Sequence, residues 1–78
     1  MPLIQVKVVE NVFTPRQKEE MIRKFTDAMV SIAGENLRPV IWVVIEDVKS
    51  GEVGIGGKPL STEAVKALAA GSAERAAG

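Results

Sequence analysis

Proton chemistry near neutral pH needs a group that titrates there, and this chain supplies few. It has no histidine, the side chain whose unperturbed pKa lies nearest neutrality, and no cysteine to serve as a thiolate. A general base is therefore restricted to a carboxylate with a raised pKa, a lysine with a lowered one, or a terminal amine. Proline stands directly after the initiator methionine, at the head of Pro2-Leu-Ile-Gln-Val-Lys-Val-Val9. Its small side chain permits removal of the methionine, which exposes a secondary amine free of amide resonance. In an apolar pocket, desolvation disfavours the charged form of that amine and lowers its pKa toward neutrality. Proline is also common, about one residue in twenty, so its position gains meaning only from its surroundings.

The remaining composition narrows the class. Seventy-eight residues make one small domain, of a size that usually needs a disulfide, a metal or a partner subunit to supplement its core. Without cysteine there is neither a disulfide nor a zinc-finger spacing, and without histidine a transition-metal site would be all carboxylate. Oligomerisation is the staple that remains, and no metal is expected. Ten basic and ten acidic residues are interleaved and sum to zero, leaving no basic stripe for nucleic acid. The longest apolar run, Val40–Ile45, is six residues, far below a membrane span. Acidic Glu10 falls where the hydrophobic region of a signal peptide would run. The expectation is a cytoplasmic, self-associating domain that binds neither nucleic acid nor membrane.

The elements that must position Pro2 are legible from periodicity. Residues 2–9 alternate as a strand, with Ile4, Val6 and Val8 on one face and Gln5 and Lys7 on the other. Thr14-Pro15-Arg16-Gln17 reads as a helix start: Thr14 caps, Pro15 suits the first helical position, and Gln17 completes a capping box. Met21, Ile22, Phe25, Ala28, Met29 and Ile32 recur at spacings of three and four, and Gly34 is a natural stop. One amphipathic helix over residues 15–33 follows. Val40–Ile45 is apolar on both faces, as in a strand of a parallel sheet covered on both sides. Strand, helix and strand make a βαβ unit with a right-handed crossover. One helix covers one face of two strands, so the other face of Val40–Ile45 calls for a second subunit; the alternative is a very apolar buried strand within a monomer, which the small size disfavours. Four glycines within residues 51–57 mark turns. Their spacing fits neither the dinucleotide nor the Walker pattern, so a hairpin or irregular extended segment is expected. Ser61-Thr62-Glu63 opens a short helix, with Val65, Leu68 and Ala69 as its apolar side, that ends at Gly71. The chain divides into one domain, residues 1–71, and an alanine-rich tail, residues 72–78.

Met1-Pro2-Leu3-Ile4-Gln5-Val6, Glu10, Gln17-Lys18-Glu19 and Ile22-Arg23 resemble the 4-oxalocrotonate tautomerase family. So do Val43-Val44-Ile45-Glu46 and Gly54-Ile55-Gly56-Gly57. The resemblance runs over residues 2–57. It implies a small α/β tautomerase-like βαβ fold with parallel strands, a C-terminal hairpin segment and a short helix, completed by oligomerisation, with a hexamer expected. It also implies catalysis by Pro2 as general base, moving a proton between an enol oxygen and a carbon conjugated to a carbonyl. No metal or organic cofactor is implied.

The departures from the family pattern concern charge. An arginine expected just after the first strand is replaced by Val12 or Phe13, and one early in the second long strand by Ile41. The aromatic residue before the glycine segment is replaced by Val53. Proton abstraction beside a carbonyl builds negative charge on oxygen, where a preorganised donor contributes several kcal/mol. Arg16, Arg38 and Lys7 are candidate displaced cations, although the solvated-surface reading outweighs that role for each; Arg38 lies three positions before Ile41. The candidate site is thus Pro2 as base, with Val12, Phe13, Arg38, Ile41 and Val53 around a small-molecule substrate. Trp42 either lines that pocket or packs in a core or interface. The expected activity is isomerisation of a small enol or enone, a monocarboxylate rather than a dicarboxylate. Two other readings stand beside it: a non-catalytic assembly or binding module, and a hydratase or dehalogenase in which Glu52 activates water.

Overall fold

A computed structural model describes residues 1–71; the expected tail, 72–78, lies outside the described residues. The elements are β1 (Leu3–Val9), α1 (Pro15–Ala33), a 3-10 segment (Glu35–Val40), β2 (Trp42–Val48), β3 (Val53–Ile55), β4 (Lys58–Leu60) and α2 (Thr62–Ala69). β1 pairs with β2, and β3 with β4, as two two-stranded sheets. At one end of the first pair the Trp42 amide donates to the Pro2 carbonyl at 3.2 Å. At the other, the Glu10 amide donates to the Val48 carbonyl at 2.7 Å. Both strands therefore run the same way, and the intervening helix makes the crossover that parallel strands require. This is the small α/β βαβ arrangement expected from the sequence.

α1 begins and ends where its residue chemistry dictates. The Thr14 hydroxyl accepts from the Gln17 amide at 3.1 Å, and the Gln17 side-chain oxygen accepts from the Thr14 amide at 2.8 Å. Pro15 occupies the first turn, where its missing amide hydrogen costs nothing. At the other end Gly34 adopts φ +100° and its amide donates to the Val30 carbonyl at 2.8 Å. That conformation is open to glycine and strained for other residues.

The entry to β2 differs from the expected strand over Val40–Ile45. Glu35–Val40 winds as a 3-10 turn containing Pro39, and the strand starts only at Trp42. Proline fixes φ and has no amide to donate to a ladder. The Ile41 amide is also diverted, donating back to the Arg38 carbonyl at 3.3 Å. Lost residues at the start are recovered at the end, where the strand runs on through Glu46 and Asp47 to Val48. β1 likewise starts at Leu3 rather than Pro2.

The described chain packs as two units. One comprises Met1–Lys7 and Phe13–Glu46; the other comprises Val8–Val12 and the chain from Asp47 onward. In the first, burial alternates along β1: Ile4 and Val6 are half-buried, whereas Leu3, Gln5 and Lys7 are exposed. The second is organised by Glu10. Its carboxylate accepts from the Ser50 amide at 2.9 Å, while its carbonyl accepts from the Thr62 hydroxyl at 2.6 Å. The Thr62 amide in turn donates to the Ser50 hydroxyl at 2.9 Å. The glycine segment is a hairpin, with Val53 opposite Leu60 and Ile55 opposite Lys58. Its two turn residues, Gly56 and Gly57, both have positive φ, which suits the right-handed strand twist. α2 is capped by the Ser61 hydroxyl, which accepts from the Ala64 amide at 3.0 Å. Val65 of its expected apolar side is half-buried, but Leu68 and Ala69 are exposed.

No side chain among the described residues is fully buried. Leu3, Ile22, Phe25, Ile32, Trp42 and Ile55 all expose a large part of their apolar surface. No helix among them is long and apolar enough to cross a membrane. Thr14→Ala removes the hydroxyl that accepts from the Gln17 amide while leaving the backbone amide that donates to the Gln17 side chain, and should destabilise the protein by about 1 kcal/mol. Denaturant unfolding at fixed protein concentration measures this, with Thr14→Ser retaining most of the stability.

Candidate active site

Pro2 sits half-buried immediately before β1, with its carbonyl held by the Trp42 amide. In a parallel ladder that bond places Trp42 opposite Leu3, and the same register places Glu46 opposite Lys7. The Lys7 ammonium does approach the Glu46 carboxylate, at 3.8 Å. Alternation then assigns the faces: Leu3 and Trp42, 45% and 52% exposed, share the open face. Pro2 and Ile41 each stand one residue before their strand, so the Trp42–Pro2 bond sets their backbones near each other at the head of the sheet. Ile41 offers that position an aliphatic wall and no hydrogen-bond donor from its side chain.

Arg38 is engaged elsewhere. Its Nη1 donates to Asp27 Oδ1 at 2.8 Å, and its Nε donates to the two Glu35 carboxylate oxygens at 3.2 and 3.1 Å. The hydrogen bond to Asp27, and next that to Glu35, hold the guanidinium above its ordinary pKa. Two carboxylates on one cation leave this cluster with a formal negative charge. Lys7 is already beside Glu46, and Arg16 lies exposed in the first turn of α1.

Phe13 lies beyond the far end of β1. Seven strand residues at about 3.3 Å each keep it roughly 20 Å from Pro2 within one chain. There it joins Gln17, Glu20, Met21, Lys24 and Phe25 around a shallow hollow of ≈ 250 Å³. The sequence reading did not single out this hollow, although the spacing of Gln17, Met21 and Phe25 by four marks one helix stripe. At its rim Lys24 meets Glu20 at 2.8 Å, and the hydrogen bond from Lys24 holds the Glu20 carboxyl below its ordinary pKa. Val12 and Val53 belong to the second unit. Val12 follows Asn11, which adopts φ +61°, and Val53 opens β3; both are half-buried. Glu52 is exposed just before that strand. Among the described residues no group of three or more acidic side chains is arranged to hold a metal ion.

A sequence model described as "Tautomerase enzyme" matches residues 2–63, most of the chain and beginning at the proline itself. This chain belongs to the tautomerase family. A relative from Campylobacter jejuni, described as a probable tautomerase, is 35% identical over 69 residues, covering 88% of this chain and 97% of the relative. A probable tautomerase of Helicobacter pylori is 32% identical over 62 residues, 77% of this chain and 90% of that one. Among solved structures, DmpI from Helicobacter pylori superposes with a TM-score of 0.67 at 33% identity, covering 76% of this chain and 95% of its own. The tautomerase fold expected from the resemblance over residues 2–57 is therefore the fold of this tautomerase.

The ion pair beside the Phe13 hollow gives this tautomerase a small pH signature. A carboxyl whose pKa is depressed on folding contributes stability that is present above its unfolded pKa and lost as pH falls through the folded one. Glu20→Gln should therefore be slightly less stable than the parent at neutral pH, and the two should converge in acid. Unfolding curves collected from pH 7 down through the carboxylate range provide the check.

Proposed function

We propose that this tautomerase isomerises a small enol or enone, with Pro2 as general base once Met1 has been removed. The observation that carries the reading is the placement of Pro2. It is the first residue of the family match, half-buried at the head of the sheet and registered against aliphatic Ile41. An amine there is partly desolvated, which favours its neutral, proton-accepting form. The rest of the composition supports this assignment, because neither histidine nor cysteine competes for the role. In the forward step the amine accepts a proton from the enol oxygen, and the resulting ammonium delivers one to the conjugated carbon. The carbonyl forms as the carbon–carbon double bond shifts.

The pocket we propose is apolar and shared between copies of the chain. Phe13 lies beyond the far end of β1 from Pro2, and its proposed role is to reach the Pro2 site of a neighbouring copy. Val12 and Val53 are proposed as further aliphatic walls. A hexamer would bury the surface that a single chain leaves open, including Leu3 and Trp42 on the uncovered face. A monocarboxylate is preferred to a dicarboxylate, since Arg38, the cation nearest in sequence to Ile41, already bears two carboxylates. Glu35 and Asp27 thus occupy Arg38, one of the candidate displaced cations, and backbone amides or water must serve the developing oxyanion.

Ketonisation of enolised phenylpyruvate, followed by absorbance, tests the reading. Pro2→Ala should lower kcat/KM by about 10²–10⁴-fold, the range of a general base. Protein that retains Met1, identified by intact mass, should be equally impaired because its proline nitrogen is an amide. Equal rates for parent and Pro2→Ala would sink the mechanism and favour a non-catalytic assembly. Incorporation of solvent oxygen into product would point instead to hydration or dehalogenation.

A further inference from the structure

We propose that Arg38 is a positioning residue for the Pro2 site, acting through the 3-10 segment that delivers β2 to the head of the sheet. This rests on the Pro2 reading above and adds a residue that touches neither Pro2 nor substrate. The path is continuous. Asp27 anchors Arg38 to α1 at 2.8 Å, and Glu35 holds the Nε side of the same guanidinium at 3.1 Å. The Leu37 amide donates to the Gly34 carbonyl at 3.2 Å, and the Ile41 amide to the Arg38 carbonyl at 3.3 Å. The next amide, that of Trp42, holds the Pro2 carbonyl at 3.2 Å. Every link lies in one packing unit, and Arg38 contributes both a side-chain and a backbone contact.

The local sequence explains why a side chain is needed there. α1 has no basic residue in its last turn, and Gly34 follows with a conformation that provides no side-chain cap. Pro39 supplies no amide to stabilise the turn. The 3-10 segment is short, and such turns have poorer hydrogen-bond geometry than an α-helix. A planar guanidinium can bridge two carboxylates in fixed directions, fastening the segment to α1 from outside; an ammonium is a point charge without that fork. Loosening this fastening shifts Ile41 and Trp42, and with them the wall and the backbone donor that fix Pro2. Small misplacements of a reacting group have large kinetic effects.

The test uses Arg38→Met and Arg38→Lys in the oligomeric protein lacking Met1, with enolised phenylpyruvate and its uncharged methyl ester as paired substrates. Arg38→Met should lower kcat roughly tenfold on both substrates with little change in KM. Its acid limb in the kcat/KM profile should move to higher pH, because a less enclosed amine is better hydrated when charged. Arg38→Lys should recover part of both effects. A rise in KM confined to the carboxylate substrate would overturn the proposal in favour of direct substrate binding, and parent-like kinetics for Arg38→Met would overturn it outright. If Arg38→Met does not fold, Asp27→Asn removes one arm alone; the same kcat and pH effects support the proposal and parent-like behaviour refutes it. Pro2→Ala separates the two levels: if it remains fully active, the base assignment itself has failed, whatever the Arg38 variants show.

Discussion

The parallel pairing of β1 with β2 is the constraint on which the rest of this small structure hangs. Parallel neighbours cannot be joined by a tight turn, so the chain must leave the sheet, run back as α1 and return. That crossover explains why the longest helix is capped so firmly at its start and stopped so abruptly at Gly34. It also fixes which residues meet at the head of the sheet. With the Trp42 amide on the Pro2 carbonyl, a slip of one residue would turn every β2 side chain to the opposite face. Ile41 would then leave the side of Pro2, and Trp42 would take its place.

The same pairing leaves the chain short of a core. Two strands and one covering helix enclose too little volume for any described side chain to be fully buried. Exposed Ile32, Ile55 and Trp42 are not isolated apolar residues on an otherwise finished surface; they accompany described residues none of which is fully buried. In small domains such a deficit is usually met by covalent staples, metals or other subunits, and the absence of cysteine and histidine removes the first and weakens the second. Placement of Pro2 and Phe13 at opposite ends of β1 fits an assembly in which distant parts of different chains are brought side by side.

Much of this was legible in the sequence because the determining interactions are local. Thr14 and Gln17 are three residues apart, and the capping box can be read directly from them. The paired glycines at 56 and 57 announce their hairpin in the same way, since their backbone conformation needs no distant partner. The 3-10 turn was hidden because Val40 and Ile41 have strong strand character, and only the backbone shows that Pro39 and the Ile41 amide are committed to a turn. Arg38 was harder still. Its charge is visible, but the partner that occupies it, Asp27, lies eleven positions away across a chain reversal. The Phe13 hollow is lined by residues within 13–25, so its helix stripe is local, and only the placement of Phe13 just before the capped start of α1 completes it.

α1 is built asymmetrically, and that asymmetry decides which part of the crossover relies on the rest of the chain. Its first turn carries its own cap, so that end can nucleate from a few adjacent residues. Its last turn lacks a basic side chain, and Arg38, beyond the end of the helix, bonds Asp27 in the body of α1 instead. The two parts of α1 are thus held by different means: the start by its own cap, the stretch around Asp27 by a cation from the segment that leads into β2. Because β2 begins directly after that segment, one ion pair ties the helix to the entry of the parallel strand. The crossover is therefore self-sufficient where it leaves β1 and dependent on a residue outside the helix where it returns to the sheet.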